Sequence, residues 1–136
     1  MIPEAYIDLV DKLYIKTMDG KANWKRTAVE NRFLIDFKNF SLTIQFFYED
    51  REPSSVKLAL YDENGKIIDD FELLEIPESA AYDKLYSMYG AARRKALRID
   101  EAINLITKEL DSETIVGVDT SDDDYIPEIE EEEITM

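Results

Sequence analysis

The chain has 136 residues, 45% of them hydrophobic and 35% charged, a balance that suits one folded domain with a single core. It contains neither cysteine nor histidine, which excludes disulfides, thiolate nucleophiles, Cys/His metal centres and an imidazole base at neutral pH. The net charge of −15 is unevenly placed: residues 111–136 hold eleven acids and no Lys or Arg, leaving 20 acids against 16 bases, a net of −4, in residues 1–110.

Pro3-Glu4 suits a helix start, where a missing N–H costs nothing and an acid meets the positive end of the dipole. Ile2, Tyr6, Leu9, Val10, Leu13 and Tyr14 then recur at spacings of three and four, which predicts a first helix ending near Asp19-Gly20. Beyond Gly20 the period becomes two. Val29, Phe33, Ile35 and Phe37 form one run, and Phe40, Leu42, Ile44, Phe46 and Tyr48 a second, each reading as a strand with one buried face. Residues 49–54 read as a loop. Val56, Leu58 and Leu60 predict a third strand, Asn64-Gly65 a tight hairpin turn, and Ile67 to Phe71 a fourth strand. Pro77, with Ser79 as N-cap, opens a second helix with the stripe Tyr82, Leu85, Tyr86, Tyr89, Ala92, Ala96 and Leu97. Asp100 caps a third, with Ala102, Ile103, Ile106 and Leu110 facing inward. The expected fold is therefore α+β: an N-terminal helix, a four-stranded antiparallel meander and two C-terminal helices, in the order α-β-β-β-β-α-α. Residues 1–110 form the domain and residues 111–136 an acidic, solvated tail.

Two basic clusters are candidate binding sites in the body. In the stretch Lys21 to Thr27 the chain's single tryptophan, Trp24, lies among three cations, Lys21, Lys25 and Arg26, a composition that stacks on bases or grips phosphates, or else anchors an edge of the core. Arg93, Arg94 and Arg98 fall late in the second helix, as an anion patch, as cations that complement the helix dipole, or as a landing site for the tail. Tyr82, Tyr86 and Tyr89 share a helix face, which packing against a sheet explains without a ligand. Asp69, Asp70 and Glu72 read as solvated charge on a strand. In the tail, Asp122, Asp123, Asp124, Tyr125, Ile126 and Glu130, Glu131, Glu132 and Glu133 form an acidic-hydrophobic linear motif. An EF-hand register counted from Asp119 has Asp124 where the sharp turn needs glycine, so no metal site is expected.

Residues 121–127, Ser-Asp-Asp-Asp-Tyr-Ile-Pro, resemble the acidic tip of bacterial single-stranded DNA-binding proteins, which seats a hydrophobic pair in a pocket ringed by bases. Here Glu128 stands where that tip has phenylalanine, and nine residues follow Pro127. Over residues 10–110, three phrases together resemble small bacterial or phage α+β proteins of unassigned activity. They are Trp24-x-x-Thr27, Tyr61-Asp62-x-x-Gly65, and Leu85-Tyr86 followed by Ala92-Arg93-x-x-Ala96-Leu97. The resemblance implies a bacterial or phage source and an α+β domain, and brings no catalytic residue or cofactor with it.

The functional expectation is a non-catalytic protein-binding or regulatory protein whose acidic tail engages a basic surface on a protein partner. Two alternatives come from other classes: an acidic nucleic-acid mimic that inhibits a host defence nuclease, and a nucleotide- or anion-binding domain built on the basic clusters. No cofactor, direct DNA binding or membrane association is expected. No ~20-residue apolar run is present, and the first residues show no basic segment leading into an apolar one, so a cytoplasmic location is expected.

Overall fold

The period-two segments pair into an antiparallel sheet in a computed structural model that describes residues 1–76 and 79–118. The sheet has five strands in the order β1-β2-β3-β4-β5: Lys25–Arg26, Arg32–Asp36, Ser41–Glu49, Glu52–Tyr61 and Ile67–Leu74. Each strand pairs with its neighbour in sequence, so the connectivity is a plain meander. Helix α1 (Glu4–Met18) precedes the sheet, and α2 (Ala80–Ala96) and α3 (Ile99–Leu110) follow it. The chain divides into two compact units, residues 1–100 and 101–136.

Local chemistry accounts for the boundaries. Helix α1 ends in a Schellman arrangement: Lys21 N–H donates to the Lys16 carbonyl at 2.9 Å and Gly20 N–H to that of Thr17 at 3.1 Å. Gly20 adopts φ +73° to allow it, a conformation open to glycine because it lacks a Cβ. The β4–β5 turn is held by Asp62, whose carboxylate accepts from the N–H groups of Asn64 and Lys66, both at 2.9 Å. Ser79 caps α2 by accepting from Tyr82 N–H at 3.1 Å. Pro77 lies outside the described residues.

In the first unit one sheet face carries the core. Phe33 and Ile35 of β2, Leu42, Ile44 and Phe46 of β3, Val56 and Leu58 of β4, and Phe71 and Leu73 of β5 are buried there. Against them pack Tyr6, Val10 and Leu13 of α1 and Tyr82, Leu85, Met88, Tyr89 and Ala92 of α2. Phe46 joins sheet to helix, its ring centroid 4.4 Å from that of Tyr89 and 4.8 Å from that of Tyr86. The opposite face is polar and satisfied across strands, with Arg32 donating to Gln45, Thr43 to the Tyr61 hydroxyl, and Ser55 to Glu72 at 2.6 Å.

Four expectations are corrected. There are five strands rather than four, because Lys25–Arg26 adds a two-residue edge strand too short to show alternation. Residues 49–54 are not a loop: β3 and β4 meet through a two-residue turn in which Asp50 and Arg51 both take positive φ, 51° and 69°. That geometry usually calls for Asn-Gly, so the sequence does not announce it. Val29, Phe37 and Phe40 lie outside the strands and are exposed, since the strands stop where Phe37 N–H bonds the Phe40 carbonyl and closes the turn. Ala102, Ile103, Ile106 and Leu110, expected to face inward, are exposed among the described residues, α3 burying none of its own. In α2, Met88 is fully buried whereas Tyr86 is half-exposed.

Replacing Phe46 with alanine removes the ring that four tyrosines surround and leaves a cavity between layers. The expected loss is about 3–5 kcal/mol of folding free energy in urea titrations; a loss below about 1 kcal/mol would contradict this account of the core.

Candidate functional site

Helix α1 divides the helical layer. On one flank Asp11 pairs with Lys84 of α2, whose ammonium also lies 5.2 Å from the centre of the Tyr14 ring. The other flank, turned away from α2, carries Leu9, Lys12, Leu13 and Lys16 and borders a groove of about 650 Å³. Its floor and far wall are Ala22, Ile35, Leu42, Leu60, Phe37 and Phe40, from the α1–β1 connection, three strands and the β2–β3 turn. Phe37 and Phe40 are 51% and 49% exposed, a large apolar expenditure of surface for a turn of a charged protein.

The groove's edge is cationic. Lys12, Lys16 and Lys21 line it. Lys12 pairs with Asp8 one turn earlier at 3.1 Å, both ends largely exposed, a contact worth little in water. The side chains of Lys16 and Lys21 form no ion pair with a described carboxylate. The one acid in the lining, Asp36, is already committed: it accepts from Ser41 at 2.6 Å and from Lys25 at 3.0 Å. Those two bonds hold its carboxyl below the usual carboxylate range. An apolar floor beneath unneutralised ammonium groups suits a ligand that is greasy on one side and anionic at its margin.

Of the residues singled out in the sequence, Lys21 lines the groove and the others lie elsewhere. Trp24 is 3% exposed, and its indole N–H donates to the Thr17 hydroxyl at 3.0 Å. It is an internal anchor tying the end of α1 to the sheet edge, and its faces are closed to a stacking base. Lys25 and Arg26 form the exposed edge strand β1, against which α2 packs. Lys25 is held by Asp36 and Arg94 pairs with Asp100. Arg93 lies near Tyr89, and Arg98 sits between α2 and α3 at φ 55°. The tail residues Asp122, Asp123, Asp124, Tyr125, Ile126 and Glu130 to Glu133 lie outside the described residues. Of the three strand acids, Asp69 accepts from the Tyr6 hydroxyl at 2.6 Å, Glu72 from Ser55, and Asp70 lies 3.8 Å from Lys57, so all are used structurally. The phrases behind the family resemblance are structural as well: the Thr27 hydroxyl donates to the backbone carbonyl of Arg32 at 2.9 Å, and Asp62 and Gly65 make the β4–β5 turn.

Sequence reasoning missed the groove. Its signal was the pairing of Leu9 and Leu13 with Lys12 and Lys16, an apolar-cationic flank beside the main stripe of α1. Phe37 and Phe40, flanking a turn rather than filling a strand, were the second clue.

None of the protein-family models, curated proteins and solved structures compared with the chain matches it. Among the described residues no helix is long and apolar enough to cross a membrane.

Three core tyrosines link this architecture to pH. Burial pushes Tyr6 up to about 12, helped by its bond to Asp69, and Tyr82 up to about 12, with Glu75 adding to the effect. Burial likewise raises Tyr89, beside Tyr48. An unfolded tyrosine ionises near 10, so above that pH the unfolded chain sheds protons that the folded chain keeps, and stability falls. The urea midpoint should hold up to about pH 10 and then drop steadily towards about pH 12. Tyr6→Phe should lessen the slope; an equally steep slope in that variant would refute the assignment.

Proposed function

We propose that the protein is a non-catalytic protein-binding module whose groove receives an acidic, amphipathic segment of a partner. The observation that carries this reading is the lysine rim over an apolar floor, with Lys16 and Lys21 in no ion pair with a described carboxylate and Phe37 and Phe40 held out towards solvent. Helix-in-groove recognition works in this way: side chains spaced at three and four residues fill the apolar cleft, and charges at its edge fix the register. Lysines on the rim add encounter rate and specificity more than raw affinity, and salt screens them within a Debye length of about 8 Å. The acid-rich residues 111–136 carry the converse chemistry and engage a basic surface.

The test is fluorescence anisotropy with a labelled synthetic helix of leucine and glutamate, unrelated in sequence to this chain, against the full-length protein. Saturable binding is expected, weakened about tenfold or more by Lys12→Glu/Lys16→Glu/Lys21→Glu and by high NaCl. No binding, or binding indifferent to the three substitutions, would refute the reading.

A further inference from the structure

The two outer edges of the sheet are unlike. β1 is two residues long and both are cations, Lys25 and Arg26, the short, charged form that guards a sheet edge against pairing with another chain. β5 is eight residues long and contains neither lysine nor proline. Apart from Phe71 and Leu73, all of its residues are exposed. Its one irregularity lies near the start, where the register with β4 shifts between Leu60 and Tyr61. From Asp69, opposite Leu60, to Leu74, opposite Ser55, the pairing is unbroken, which gives about 20 Å of regular edge. No strand lies beyond β5 among the described residues. The outward N–H and C=O groups of such an edge are a template for strand addition.

The side chains specify what would be added. Phe71 and Leu73 point into the core, and Asp70 and Glu72 onto the opposite face. Asp69 and Glu72 accept from the hydroxyls of Tyr6 and Ser55, which leave their charge in place. Asp70 reaches Lys57 only at 3.8 Å, and Glu75 extends the acidic run. Opposite charges directly across a strand pair stabilise it, and like charges destabilise it. Two copies of β5 paired antiparallel about Phe71 would set Asp70 against Glu72 twice, so charge opposes self-pairing. We infer that β5 accepts, as a sixth strand, an extended segment of a protein partner in which lysine or arginine alternates with β-branched residues. Its cations would lie beside Asp70 and Glu72, and its valines or isoleucines beside Phe71 and Leu73. Backbone hydrogen bonds supply the affinity and the alternation supplies the selectivity. The edge shares no residue with the groove and takes a ligand of opposite charge.

Hydrogen–deuterium exchange of the full chain tests this with a short peptide alternating lysine and valine. The control is the same peptide with every backbone nitrogen methylated, which keeps the side chains and charge but has no N–H to donate. The plain peptide should slow exchange of the amides of residues 69–74 in a saturable way. The methylated one should not, although its lysines still meet the acidic residues 111–136. Asp70→Lys should weaken the effect about fivefold or more, and Asp70→Asn should fall between it and wild type. Glu30→Lys, the same change of charge in the β1–β2 connection, should leave it within about twofold. Equal protection by both peptides, or none at residues 69–74, would overturn strand addition, and indifference to Asp70→Lys would overturn the charge rule. Protection of residues 69–74 that rises with protein concentration in the absence of peptide would make the occupant a second copy, which also overturns the proposal.

Discussion

A sheet with one apolar face must be covered, and the length of its strands sets how much helix that takes. Here β3 and β4 run nine and ten residues, while the described core draws on only two helices. α2 lies over the Phe46 and Leu73 end, and α1 crosses the middle from Tyr6, beside Phe71, to Thr17, beside Trp24. At the end bearing Ile35, Leu42 and Leu60 the groove is shallow: Ile35 and Leu42 are 6% and 3% exposed, and its open apolar surface comes from Phe37 and Phe40. Its lysines follow from the flank of α1 that faces it.

The same constraint explains why the polar side of the sheet offers little chemistry. Its groups are spent on one another across strands: Arg32 on Gln45, Thr43 on Tyr61, Ser55 on Glu72. Cross-strand pairing of this kind fixes register. The aromatic layer around Phe46 is equally closed, apart from Tyr82, whose buried hydroxyl bonds to no described group.

Much of the fold was legible because alternation is a local property. Leu42 to Tyr48 announced β3, Asn64-Gly65 the β4–β5 turn, and Ser79 the start of α2. The misses have physical causes. A two-residue edge strand such as Lys25–Arg26 is too short to carry a period. The Asp50-Arg51 turn uses left-handed backbone without the glycine that marks it. Periodicity showed that α3 has an apolar face, but a stripe does not say what the helix covers, and no residue of α3 is buried. Trp24 illustrates the converse error of composition. Its cationic neighbours suggested a nucleic-acid platform, while its ring serves Thr17 and the core. The groove itself joins positions 9–16, 21–23 and 35–60, and only the folded sheet brings these together.

The absence of cysteine makes the proposed groove directly testable with a single label, an environment-sensitive fluorophore on Phe40→Cys. Adding the leucine–glutamate helix should shift the emission to the blue, and Lys12→Glu/Lys16→Glu/Lys21→Glu should abolish the shift. An unchanged spectrum, or a shift indifferent to the charge reversal, would contradict the account.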